Sequence, residues 1–204
     1  MLERLLAWHA KVGGEEGAPL HLRSVRDDHE GWVLEIESED PEDEDADPIA
    51  WEVRADGVIA YRIQTSTSWT LEVLREHPLL MPYLSPPAEV HMGARPADPA
   101  RLLGEIAQHL HDVAGTWWSL ADWIVMDHPW LTGDSLDGDP PPLAHGPMAF
   151  LQGIAPLVEA AGAEPKLLVG AIPPGVSAEP PHVLVLDDSW CVAPRFACRR
   201  LDDR

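Results

Sequence analysis

The chain has 204 residues, 45% of them hydrophobic, with 35 acidic against 14 basic side chains and a formal net charge of −21. That length and apolar content suffice for a buried core, which excludes an intrinsically disordered chain. The charge disfavours a nucleic-acid backbone or an anionic membrane surface as partner, since both are repelled over roughly 8–10 Å in physiological salt.

Along the chain, Leu2, Leu5, Leu6 and Val12 share a helical face in the first twelve residues. Glu3, Arg4 and Lys11 interrupt them, unlike the apolar core of a secretory signal. No run approaches the ~20 apolar residues of a membrane span, so a cytoplasmic protein is expected. A β-meander is predicted next. Leu20 and Leu22, then Trp32, Leu34 and Ile36, then Ile49, Trp51 and Val53 recur at every second position, leaving one side of each strand apolar and the other largely wet. Asp56-Gly57 between 49–54 and 58–63 predicts a two-residue type I′ hairpin. Leu71, Val73 and Leu74 before Pro78 predict a helical turn.

In the second half a strand over 89–93 precedes a 17-residue helix. Asp98 caps its free amides, Pro99 fits the first position, Leu102, Leu103, Ile106, Leu110 and Val113 form the apolar stripe, and Gly115 closes it. Residues 116–127 predict another helix, and 148–161 a third that Pro156 kinks or splits. Strands are predicted over 167–172, 183–186 and 190–193; the last two form a hairpin through Asp187-Asp188-Ser189, and 183–186 is apolar enough to be covered on both faces. The class is therefore α+β: a mainly antiparallel sheet, from an N-terminal meander and a C-terminal hairpin, packed with three to four helices. One domain over 1–204 is expected, with 94–96 as the place for any subdivision.

Glu39, Asp40, Glu42, Asp43, Glu44, Asp45 and Asp47 put seven acids in nine positions, and residues 1–60 hold 17 acids and 5 bases. Such a run is either a solvated connector or a charge that steers a basic partner with strong salt dependence. It lacks the glycine of a calcium loop; a second cluster at 134–139 has Gly138, but not the EF-hand order or a closing Glu. Nine tryptophans stand beside two Phe and two Tyr. Adjacent helical residues lie about 100° apart, so Trp117 and Trp118 are not buried alike, and one of them is a candidate interface anchor.

Glu105, His109 and Asp112, at i, i+4 and i+7 of the long helix, either offer a nitrogen and oxygen ligand set or complete its polar side with Arg101 and Gln108. H-E-x-x-H, C-x-x-C, G-x-S-x-G and the glycine-rich phosphate loops are absent, so no catalytic residue is nominated and no cofactor is expected. Cys191 and Cys198, seven residues apart, are expected to be reduced. These features together point to an acidic protein-binding module, in form an inhibitor or immunity-type protein that occludes a basic protein partner such as a toxin or nuclease. Two alternatives stand beside it. One is a metal-dependent enzyme with a site gathered from Glu105, His109, Asp112, His128 or His145; the other is a structural subunit of a larger assembly.

Overall fold

The structure is a computed structural model that describes residues 2–12, 18–29, 31–39, 47–64, 67–133, 140–171 and 179–201. In chain order its elements are α1 (Leu2–Val12), β1 (Leu20–Asp27), β2 (Trp32–Ser38), β3 (Ile49–Asp56), β4 (Ala60–Arg62), β5 (Thr67–Ser68), β6 (Glu72–Leu74), α2 (Met81–Leu84) and β7 (Pro87–Met92). There follow α3 (Pro99–Ala114), α4 (Pro129–Thr132), β8 (Ala144–Pro147), α5 (Met148–Ala160), β9 (Pro165–Val169), β10 (His182–Leu186), β11 (Ser189–Ala193) and β12 (Arg195–Arg200). The class is α+β with antiparallel sheets, as the alternation predicts. Among the described residues no helix is long and apolar enough to cross a membrane. The chain divides into two compact units, Met1–His77 with Ser177–Arg204, and Pro78–Val176; residues 94–96 fall inside the second.

The first unit holds two sheets, ordered β12-β3-β2-β1-β5 and β4-β11-β10-β6. The meander forms as predicted. Its apolar side, with Leu20, Leu34, Ile36, Trp51 and Val53, shares one buried cluster with Leu184, Leu186, Cys191 and Ala193 of the second sheet and Leu5 of α1. Residues 183–186 are all buried, which explains their unbroken apolar run.

Two expectations fail here. Gly57 does take a positive φ of 66°, but no hairpin forms across Asp56-Gly57. β3 is paired on one side by β2 and on the other by β12, so β4 leaves the sheet and pairs with β11. Residues 72–74 are a strand rather than a helical turn, because Val73 and Leu74 pair with Leu184 and Val183 of β10.

The second unit has a three-stranded sheet, β8-β7-β9, with α5 lying on it and α3 packed against α5. The α3 caps are those the sequence implies: the Asp98 carboxylate accepts the Arg101 N–H at 3.0 Å, and Gly115, φ 57°, donates its N–H to the His111 carbonyl at 2.8 Å. Leu102, Ile106, Leu110 and Ala114 are buried, whereas Val113 is exposed. α5 runs unbroken through Pro156. Pro156 and Gln152 are both on the exposed side, so the carbonyl freed by the missing N–H faces water.

The helix expected over 116–127 is absent. Ser119 and Asp122 form a reciprocal capping box around a single 3-10 turn, Leu120–Asp122, and side-chain bonds of this kind compete with helix propagation. Beyond it, Val125 N–H bonds Leu143 O at 2.9 Å and Trp123 O accepts His145 N–H at 2.9 Å, which draws the segment alongside β8.

Candidate functional site

The geometry that gathers charge lies at one end of the first unit and follows from strand register. Ser68 of β5 pairs with Leu20 of β1, Leu20 with Ser38 of β2, and Ser38 with Ile49 of β3, so these four residues form one row across the sheet. Glu39 leaves β2 at this row and Asp47 leads into β3; both are exposed. Asp40, Glu42, Asp43, Glu44 and Asp45 lie outside the described residues.

The residue after Ser68 is Trp69, and it is 54% exposed. Neighbouring strands are about 4.8 Å apart, so β5 to β3 spans roughly 15 Å, and Trp69 leaves the sheet at the same end as Glu39 and Asp47. The turn of the second sheet is tied to it. Asp187 accepts the Trp69 N–H at 2.7 Å and the Thr70 hydroxyl at 2.5 Å, while its own N–H donates to Thr70 Oγ1 at 3.2 Å. Ser68 Oγ donates to Leu186 O at 3.3 Å. Asp187 holds a positive φ of 46°, which an aspartate tolerates better than most residues, and Asp188 beside it is exposed. Acids from the connections of two sheets thus share one end of the unit with an exposed indole.

Buried His9 of α1 bonds the Trp69 backbone; burial holds its pKa below 6.5 against that bond and the Asp187 charge, and its Nδ1 has no partner.

The arginines on the outer face of the five-stranded sheet are already engaged. Arg23 pairs with Glu37 at 2.7 Å, Arg54 with Asp28 at 2.5 Å, and Arg26 and Arg199 both clamp Glu52, at 2.9 and 2.8 Å. Glu52 is only 10% exposed in its side chain, so these two guanidinium groups are what allow a carboxylate there. Arg200, which ends β12 near the acidic row, is also engaged.

The sequence-nominated aromatic residues are Trp117 and Trp118. Trp117 and Trp118 belong to the second unit and are half-buried. Trp118 donates its indole N–H to Pro78 O at 3.1 Å and sits edge-on to Trp123, ring centroids 5.0 Å apart. Trp69 was missed because it alternates with Leu71 and Val73 and so reads as a residue of an apolar strand side, although it is exposed while Leu71 is buried.

The metal candidates do not converge. Glu105 accepts from Arg101 at 2.8 Å, Asp112 from Gln108 at 2.7 Å, and the His109 ring stacks on Phe150 and bonds its carbonyl at 3.2 Å. His145 is exposed on β8 opposite Glu89. Among the described residues no group of three His, Cys, Asp or Glu could hold a metal ion. Cys191 and Cys198 are free and buried, with burial pushing their thiols up to about 12 and about 11, so neither is poised as a thiolate.

His128 is fully buried, and both its nitrogens are used. Nδ1 accepts the Trp130 N–H at 3.2 Å, which leaves Nε2–H to donate to Pro141 O at 3.1 Å. Burial holds its pKa below 6.5, outweighing the Pro141 bond and Asp127. An imidazole with a lowered folded pKa binds its proton more tightly in the unfolded chain, so stability is full above pH 6.5 and declines as pH falls from there. His9 and His77 are shifted the same way, also by burial. The urea midpoint is expected to drop between about pH 7.5 and pH 5.5, and to drop less in His128→Asn, which keeps an acceptor for Trp130 but has no proton to take up. An equal drop in the variant would show that His128 does not contribute.

No protein-family model matches the chain, no curated protein is similar to it, and no solved structure matches it.

Proposed function

We propose that this chain is an acidic protein-binding module whose first unit takes a basic protein partner, as an inhibitor or immunity-type protein that covers a cationic surface such as that of a toxin or nuclease. The observation that carries this reading is that Glu39, Asp47 and the Asp187–Asp188 turn lie at the same end of the unit as the exposed Trp69, with the arginines of the neighbouring sheet face already occupied. Negative charge brings a cationic surface in quickly, and a partly exposed aromatic side chain supplies the apolar contact that slows release. Buried free thiols suit a reducing compartment such as the cytoplasm. The charge that attracts such a partner opposes a nucleic-acid backbone or an anionic membrane.

The test is affinity capture by the full chain from its own cell lysate, with a series of rising salt washes. A basic protein retained stoichiometrically at low salt and released as salt rises is expected. A chain neutralised at Glu39, Glu42, Asp43, Glu44, Asp45 and Asp47, and separately Trp69→Ser, should each retain less than about a tenth of it. Undiminished capture by the neutralised chain, or no basic protein captured at low salt, overturns the reading.

A further inference from the structure

A pocket of about 420 Å³ opens in the first unit between the first turn of α1, the edge strand β6 and the corner at Pro194 that joins β11 to β12. Its size is that of a small-molecule site. Leu2, Leu6, Val73 and Phe196 line it with apolar surface, and Glu3, Arg75, Arg195 and His182 supply its polar groups.

Register places this pocket away from the acidic end. His182 pairs with Ala193 at one end of the β10–β11 hairpin, and the Asp187–Asp188 turn closes the other; five strand residues span roughly 16 Å. Arg195 pairs with Asp56, the end of β3 remote from Ile49. The pocket therefore lies at the end of the strands opposite Glu39, Asp47 and the Asp187–Asp188 turn.

The cations of the pocket are available. Among the described residues Arg75 makes no ion pair. Arg195 meets Glu179 at 3.2 Å, but the two side chains are 72% and 58% exposed, the kind of pair that exchanges readily with solvent or a better-placed anion. His182 donates Nδ1–H to Pro194 O at 3.1 Å, which fixes the ring beside them.

We propose that this pocket binds a small amphipathic monoanion, a molecule with an aliphatic body and a carboxylate head. The four apolar side chains offer no hydrogen bond, so the body must be hydrocarbon. A guanidinium fork matches a carboxylate. Glu3, which also lines the pocket, and the overall charge of −21 disfavour a dianionic head such as a phosphate monoester.

Octanoate is the probe, titrated into the full chain below its micellar range by calorimetry, with amide chemical shifts to locate it. Saturable one-to-one binding is expected, with the largest shifts at Leu2, Leu6, Val73 and Phe196. Octanamide, which lacks the charge, and the surface variant Arg75→Gln should each bind at least about tenfold more weakly, and octyl phosphate more weakly than octanoate. Both Arg75→Gln and the parent are to be checked for equal thermal unfolding, so that a loss reports binding. No saturable binding at millimolar octanoate, shifts centred elsewhere, equal affinity for octanamide, or tighter binding of octyl phosphate would each overturn the assignment.

Discussion

The substitution Gly146→Ala is expected to destabilise the second unit by about 3 kcal/mol or more. Two independent costs add at this residue. Gly146 lies on β8 with φ 151°, a conformation that side-chain-bearing residues rarely adopt and that costs on the order of 1–3 kcal/mol. A Cβ built there would also overlap Cε3 and Cζ3 of the Trp123 indole, closer than real Cβ atoms come to other atoms. Trp123 has little room to retreat. It is buried, with Trp118 edge-on at 5.0 Å and Phe150 at 5.9 Å, and overpacking of such a site costs roughly 1–3 kcal/mol. Hydrogen exchange of the β7, β8 and α5 amides should therefore accelerate by about a hundredfold or more. Protection within tenfold of the parent would show that Trp123 does not rest on Gly146.

The second large effect concerns the kinetics of the proposed complex. Replacing Glu39, Glu42, Asp43, Glu44, Asp45 and Asp47 by their amides should slow association with the captured basic partner by about 10- to 100-fold at low salt, and by much less at physiological salt, while dissociation changes little. Trp69→Ser should do the reverse, leaving association nearly unchanged and speeding dissociation by about tenfold or more. Surface-immobilised partner and a salt series would measure both. If the neutralised chain associates within twofold of the parent, charge does not steer the encounter; if Trp69→Ser dissociates at the parent rate, the indole is no anchor.

Local rules accounted for the elements whose determinants are close in sequence. Asp98, Pro99 and Gly115 delimit α3 because capping is settled within four residues. The alternation over 32–36 and 49–53 marked the meander, since a period of two admits only one buried side per strand. The acidic run was equally plain, because charge density needs no partner to be counted.

What escaped that reading depended on who pairs with whom. Asp56-Gly57 carries a hairpin signature, and its glycine does turn with positive φ, yet both sides of β3 are claimed by strands whose pairing no local pattern reveals. β12 is not among the predicted strands; it is placed by pairing with β3, where Glu52 receives Arg199. Glu105 and Asp112 complete the polar side of α3 with Arg101 and Gln108, the alternative the spacing already offered, whereas the contact of His109 with Phe150 depends on the packing of α5.

Composition and local pattern thus determined the class, the strongest helix, the meander and the place of the acidic run in the chain. Only tertiary structure decided that Trp69 stands at the acidic end of the first unit, and that the Asp187–Asp188 turn joins it there. The reason is that exposure and juxtaposition are set by register between strands tens to more than a hundred residues apart: Ser68 meets Leu20, and Trp69 meets Asp187, through pairings to which the residues between them contribute no local signal.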